Sequence, residues 1–279
     1  MKRVFLAVLI LLITQNVSGQ LPGYSPEPFD SAKIRVFYNH KAKNYKDSKI
    51  VTEDIFYLDI GSRGSDFYSF YNFTLDSAKE QLLKLGRTAE EIFLATRGMK
   101  QGSEERIVKS YNNNSLIVVS PVLFQTYLYS EDMNVQEWNL TNDTLTIATY
   151  LCYRAYCTFR GREWSAWYAP NIPSMDGPWK LNGLPGLILK AADSQNEFVF
   201  ESSGVTLLSP SKPIINPLSD KSSGVIKTDG KTFIQIKRKS VEDIKGSIAA
   251  QGMKIVTITD ENGLESQIPK RTMNSIEEY

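Results

Sequence analysis

The chain has 279 residues, 42% of them hydrophobic and 23% charged, with 32 Lys and Arg against 31 Asp and Glu and a formal charge of +1. That length can bury a full core, as one large domain or two tightly joined halves. The near-neutral balance removes any electrostatic drive toward nucleic acid or anionic membrane, and a single histidine leaves too few ligands for a zinc site.

Met1-Lys2-Arg3 is a short positive segment, Val4 to Ile13 is an apolar run, and Val17-Ser18-Gly19 offers small or tolerated residues. This predicts a secretory signal peptide over residues 1–19, cleaved near Gly19, with a periplasmic or secreted product and no membrane span in the mature chain. Pro22, Pro26 and Pro28 predict a flexible arm over residues 20–32. From Lys33 the pattern has period two: Ile34, Val36 and Tyr38 share one face, and Ile50 to Ile60 alternates likewise. His40, in the Lys-rich stretch Asn39-His40-Lys41, reads as a surface-loop side chain. Gly61 to Gly64 is a turn, and Phe67 to Phe73 alternates as a strand. Leu75, Ala78, Leu82 and Leu85 repeat at the spacing of one buried helical stripe, with Ser77 and Glu80 as a capping box. Thr88 and Glu91 open a second, shorter helix.

Strands resume at Arg106–Tyr111, Leu116–Val119 and Leu123–Tyr129, with a turn at Asn112-Asn113-Asn114. Thr144–Thr158 reads as one strand, Arg160-Gly161 as a tight reversal and Glu163–Ala169 as the return. That hairpin sets Cys157 opposite Trp164 and Ala155 opposite Ala166. Leu187–Ala192, Glu197–Glu201 and Val205–Leu208 complete the main run. Residues 209–231, rich in Ser, Pro, Lys and Gly, read as a long surface connection. Phe233–Arg238 alternates as a strand, and Ser240 caps a helix through Ile248 that stops at Gly252. Glu261-Asn262-Gly263 is a hairpin signal between Met253–Thr259 and Leu264–Ile268, and the residues after 269 look frayed. The sum is a mainly β (α+β) fold: a long curved antiparallel sheet or half-barrel with one or two packed helical segments, as a single domain over residues 33–270.

The block from Asp176 to Leu189 (DGPWKLNGLPGLIL) is the most distinctive stretch. Gly183 and Gly186 can take positive φ at little cost, and Pro185 pushes Leu184 toward an extended conformation. Leu187-Ile188-Leu189 then reads as a buried strand. The segment is a shaped turn that delivers a strand into a core, with Leu184, Leu187 and Leu189 buried.

Cys152 and Cys157 are the two cysteines, and a disulfide between them is disfavoured by geometry. On one strand their sulfurs would lie about 16 Å apart along it, whereas a bridge needs Cα atoms within about 7 Å. No Walker loop, dinucleotide fingerprint, His-Glu-x-x-His or Gly-x-Ser-x-Gly occurs. Carboxylates are plentiful but unclustered. The aromatic residues of the hairpin, Tyr153, Trp164, Trp167 and Tyr168, together with Trp179, line a pocket or pack within the sheet.

Gly183-Leu184-Pro185-Gly186-Leu187-Ile188 resembles the motif that names the GLPGLI family of exported proteins from Gram-negative bacteria of the Bacteroidota. The resemblance extends over Cys152 to Leu189, through Arg160-Gly161-Arg162, Trp164, Ala166-Trp167-Tyr168, Ile172-Pro173 and Gly177-Pro178. Tyr38, Ile60-Gly61 and Ser65-Asp66-Phe67-Tyr68-Ser69 are similar to the family's opening. It implies no activity and brings no catalytic residues, cofactor or metal. The expected sheet with a helix across one face also looks like the half-barrel of periplasmic lipoprotein carriers, which hold an acyl chain on a concave apolar face. Asp30-Ser31-Ala32, Asp76-Ser77-Ala78 and Asp143-Thr144-Leu145 look like short O-glycosylation acceptors of that bacterial group.

The expectation carried forward is a non-enzymatic binding or accessory protein of the envelope, with an apolar concave face for a lipid, peptide or protein partner. A carboxylate-based hydrolase and a structural envelope subunit are the alternatives.

Overall fold

The computed structural model describes residues 28–133, 136–217, 224–252 and 271–278. The signal peptide, the Glu261-Asn262-Gly263 hairpin and its two flanking strands lie outside the described residues. One open twelve-stranded sheet dominates the molecule, in the order β12-β6-β5-β4-β3-β2-β1-β11-β10-β9-β8-β7. The strands are β1 (Pro28–Ala42), β2 (Thr52–Ile60), β3 (Gly64–Ser69), β4 (Arg106–Ser110), β5 (Ser115–Val122), β6 (Gln125–Asp132), β7 (Asn139–Ile147), β8 (Tyr150–Phe159), β9 (Arg162–Ala169), β10 (Leu187–Asp193), β11 (Phe198–Ile215) and β12 (Val225–Lys227). All neighbours are antiparallel except β12, which runs parallel to β6. Four helices accompany them: α1 (Phe70–Lys84), α2 (Ala89–Thr96), α3 (Gly230–Glu242) and α4 (Ile244–Ala250).

The sheet curls until its two ends approach. Arg160, in the β8–β9 turn, reaches Glu131 of β6 at 3.1 Å, although those strands stand near opposite ends of the order. The ends do not hydrogen-bond, so the curl is a half-barrel and not a closed one. Inward residues of both halves, among them Val36, Tyr38, Leu58, Val118, Ala155 and Trp164, join one core cluster.

Local chemistry explains the elements. The β8–β9 hairpin turns at Arg160 and Gly161, with φ +52° and +75°, and its register sets Cys157 opposite Trp164 and Ala155 opposite Ala166 as the spacing required. Thr88 caps α2 in a full capping box with Glu91.

Several expectations are corrected. Thr144–Thr158 is not one strand: Ala148 and Thr149, at φ +46° and +75°, turn the chain between β7 and β8. That turn carries no Gly, so it leaves no sequence signal. The first helix begins at Phe70, not Ser77, because Ser69 Oγ accepts a hydrogen bond from the Asn72 amide at 3.2 Å. Its expected core stripe is buried only in part: Leu75 is buried, Ala78 and Leu82 are half-buried, and Leu85 is 72% exposed. Phe233–Arg238 is helical, within α3, capped by Asp229 Oδ1 accepting from Thr232 N at 2.9 Å. Ser240 lies inside α3, and the helix carrying Ile244 and Ile248 is α4, capped by Asp243 Oδ1 accepting from Gly246 N at 3.0 Å; Ile234 and Ile236 follow tertiary packing over their β propensity. Residues 28–32 and 212–215, expected to belong to the arm and the connection, pair with each other, Pro28 opposite Ile215 and Ser31 opposite Pro213. β2 joins β1 only from Ile34 onward, so this ribbon has an unpaired side that tolerates proline.

Candidate ligand cleft

The inside of the curl is not an open apolar trough. Leu187 pairs with Ala169, so residues 170–186 leave the sheet between adjacent strands and return at the same place. Most of this excursion is buried, including Asp176 through Asn182 and Leu184. The concave face expected to hold a lipid is therefore largely occupied by the chain itself.

Two buried lysines fix this internal plug. Lys109 of β4 donates to Asp176 Oδ1 at 2.5 Å, to the Gly177 carbonyl at 2.8 Å and to the Leu181 carbonyl at 3.3 Å. Tyr111 donates its hydroxyl to Asp176 Oδ2 at 2.7 Å. Burial pulls the Lys109 ammonium below its usual range while Asp176 holds it up. Lys180, on the plug, pairs with Glu131 at 2.7 Å and Glu277 at 2.6 Å. Gly183 and Gly186 take φ +90° and +145°, and Leu184, Leu187, Ile188 and Leu189 are fully buried.

A cleft of about 430 Å³ remains between the plug, β1, β2, α3 and the C-terminal segment. That volume is in the range of small-molecule sites. Phe56, Phe67, Phe200 and Trp179 line it, with His40, Asp54, Glu105, Lys237 and Glu277 among its polar groups. The C-terminal residues are not frayed: Asn274, Ser275 and Glu277 are buried. Arg162 holds them, donating to Asn274 Oδ1 at 2.7 Å and to the Ser275 carbonyl at 2.7 Å. Contacts distant in sequence tether this segment, among them backbone bonds from Asn274 N to the Asn44 carbonyl at 2.9 Å and from Glu278 N to the Arg160 carbonyl at 2.8 Å, so its order is not visible in its own residues.

His40 is the largest departure from the sequence reading. It belongs to β1, alternating with Val36 and Tyr38 toward the interior. Its ring stacks on Phe200 at 4.1 Å between centroids. Nδ1 lies 3.0 Å from the Val199 carbonyl; a carbonyl can only accept, so Nδ1 carries the proton and Nε2 keeps its lone pair. Burial lowers its pKa to about 4, against opposing fields from Asp54 and Glu105. The ring is thus a neutral acceptor lining the cleft. The unfolded chain takes this proton near the ordinary value and the folded chain only near 4, so stability is full above pH 6.5 and falls as pH drops from 6.5 toward 4. Chemical denaturation across that window should show a loss of about 2–3 kcal/mol, and His40→Gln should remove this part of the slope.

Trp179 carries two costs at once. It is 2% exposed, with no hydrogen-bond partner for Nε1 among the described residues, and its φ is +53°. Left-handed backbone in a bulky residue costs about 1–3 kcal/mol, and an unsatisfied buried N–H about as much. Outliers of this kind cluster where a site is held ready.

The aromatic residues singled out in the sequence divide into separate groups. Trp164 and Trp179 pack in the core with tilted rings 5.5 Å apart, and Tyr153 and Tyr168 pair at 6.2 Å. Trp167 stands on the opposite face of the sheet, beside Arg154. Of the five, Trp179 alone lines the cleft. His40, Asp54, Glu105 and Phe200 were missed, although the period-two run Val36-Tyr38-His40 was a usable signal. Cys152 and Cys157 are both free and buried; burial pushes their thiols up to about 11 and about 12, which leaves them protonated and unreactive. Among the described residues no cluster of three or more His, Cys, Asp or Glu could hold a metal, and no helix is long and apolar enough to cross a membrane.

No curated protein matches the chain. Two solved structures of PNGF-II, in space groups C2 and P21, are similar over 75% of this chain at 15% identity, with TM-scores of 0.49 and 0.47. The chain spans only about a third of their length, 33% and 34%. Residues 160–190, which hold the β8–β9 turn, β9, the plug and the start of β10, match a Bacteroidota-associated family described as a protein of unknown function (Porph_ging).

Proposed function

We propose that this is an exported, non-enzymatic binding protein of the bacterial envelope, of the GLPGLI type, whose guest sits in the His40–Phe200–Trp179 cleft. The observation that carries this reading is an aromatic floor offering an unused acceptor, His40 Nε2, beside a strained and unsatisfied Trp179. The guest class follows from the rim. Four carboxylates, Glu53, Asp54, Glu105 and Glu277, line the cleft; Glu105 pairs with the lining Lys237, and Glu53 and Glu277 pair with Lys41 and Lys180, which leaves Asp54 as the carboxylate without an ion pair among the described residues. His40 is neutral near pH 7. A neutral or basic peptide-like guest suits this field, and an anionic fatty acid does not. The earlier lipid expectation is narrowed accordingly.

Calorimetry of the full mature chain with palmitate and with short aromatic peptides carrying lysine tests this. Peptide binding that Phe200→Ala weakens about tenfold supports the proposal; tight palmitate binding, or no binding by either class, overturns it. Envelope fractionation with N-terminal sequencing checks export, the expected start being Gln20.

A hydrolase is the second reading, favoured by a neutral His40 near Asp54 and Glu105. Its carboxylates are already engaged: Asp54 accepts from Ser69 Oγ at 2.9 Å and Ser103 N at 2.7 Å, and Glu105 pairs with Lys237 at 3.4 Å. Turnover on a substrate panel that His40→Gln abolishes would establish it.

A further inference from the structure

A second hollow, of about 590 Å³, lies on the outer face of β7–β10. Its shape follows from strand register. Tyr156 faces Ser165, and Ser165 faces Ala192. The row Tyr156–Ser165–Ala192 is therefore low at its centre. On one side stands the row Arg154–Trp167–Lys190, and on the other Thr158–Glu163. Two small residues between taller rows make a trough running across the strands. None of the described helices packs there; they rest on β2, β3, β5 and β6.

The trough's chemistry is specific. The Arg154 guanidinium lies 4.4 Å from the Tyr156 ring centroid and 5.4 Å from that of Trp167, and its Nε donates to Ser165 Oγ at 3.0 Å. The arginine lies within cation–π range of both rings, and both rings line the hollow. The charges largely cancel: Arg154 is 3.6 Å from Asp143, and Lys190 is 3.0 Å from Glu201. Among the described residues neither the Trp167 indole N–H nor the Tyr156 hydroxyl hydrogen-bonds to the protein, and neither is a buried orphan. Both are available to a guest.

We propose that this trough is a saccharide-binding site, distinct from the inner cleft. Fixed aromatic faces suit the weakly positive C–H faces of a pyranose ring. The free Tyr156 hydroxyl and Trp167 indole N–H, with the amides of Asn139 and Asn196 on the lining, suit its hydroxyls. A balanced field favours an uncharged chain over an anion or cation. The open, cross-strand trough suits a linear oligosaccharide more than a buried small molecule.

The test is calorimetric titration of the full mature chain with maltohexaose, cellohexaose and N-acetylchitohexaose, with a heparin hexasaccharide as the anionic arm. At least one neutral oligosaccharide should bind in the micromolar-to-millimolar range. Trp167→Ala should weaken it by about tenfold or more, and Trp167→Phe by less. Leu83→Ser, on the exposed surface of α1, should leave binding unchanged. Matched thermal unfolding of the variants shows that the fold persists; should Trp167→Ala unfold the protein, Trp167→Phe with Ser165→Phe, which fills the trough, serves in its place. Binding of the heparin fragment alone, binding indifferent to these changes, or no binding by any neutral sugar overturns the proposal.

Discussion

Lys109→Met should cost the protein about 3–5 kcal/mol, read as a shift in the urea midpoint at unchanged slope. Lys109 and Asp176 are 0% and 1% exposed, so removing the ammonium leaves a carboxylate buried without a counter-charge. The Gly177 and Leu181 carbonyls lose a donor as well. Tyr111 and the Gly177 amide still bond to Asp176, but neither supplies charge. Adding Asp176→Leu to Lys109→Met should recover much of the loss, because a buried ion pair replaced whole by apolar groups is often neutral. This pair therefore contributes placement more than net stability: three donors on one nitrogen fix where the plug lies against β4. A single variant as stable as the parent would mean that water reaches Asp176 and that the plug is loosely held.

Gly186→Val should be comparably severe. At φ +145° a side chain is strained whatever the space, and there is no space. A Cβ there would stand 2.4 Å from the Ala169 carbonyl oxygen and 2.6 Å from its carbon. Both belong to backbone at the end of β9, which cannot rotate aside. Strain of about 1–3 kcal/mol and overpacking of about 1–3 kcal/mol together remove a large share of a typical domain's stability. Thermal unfolding and limited proteolysis check this. A Gly186→Val protein that melts normally but no longer binds its guest would make the motif a binding loop instead of a structural turn.

The contrast between these two sites shows how far the sequence could be read. Gly186 announced itself, because Gly and Pro at fixed spacing constrain the backbone whatever surrounds it. So did Arg160-Gly161, from which the whole β8–β9 register followed. Lys109 announced nothing: its partner lies on a different element and meets it only when the sheet curls. The same holds for Lys180, for Arg162 and for the C-terminal residues they hold. Helices misread as strands, such as Phe233–Arg238, carry Ile and Phe that fit either period, and a cap at Asp229 decided the matter. At the candidate site, Trp179 was named for its size alone. Its backbone strain and unpaired N–H are visible only in three dimensions. His40 was hidden by its lysine neighbours, although its parity with Val36 and Tyr38 placed it indoors.

Ala169 and Leu187 face each other across β9 and β10, which makes residues 170–186 a stopper threaded into an otherwise ordinary hairpin. Its removal would break no rung of the ladder. A shortened chain, rejoined by a tight turn, would keep the same cup and lose its contents, laying bare the wall that now carries Lys109. How much of the interior stays open is thus governed largely by one contiguous stretch, while the strands and the C-terminal segment supply polar groups such as His40, Asp54 and Glu277. A scaffold wired this way can change what it holds by exchanging a single loop while the cup around it stays as it is.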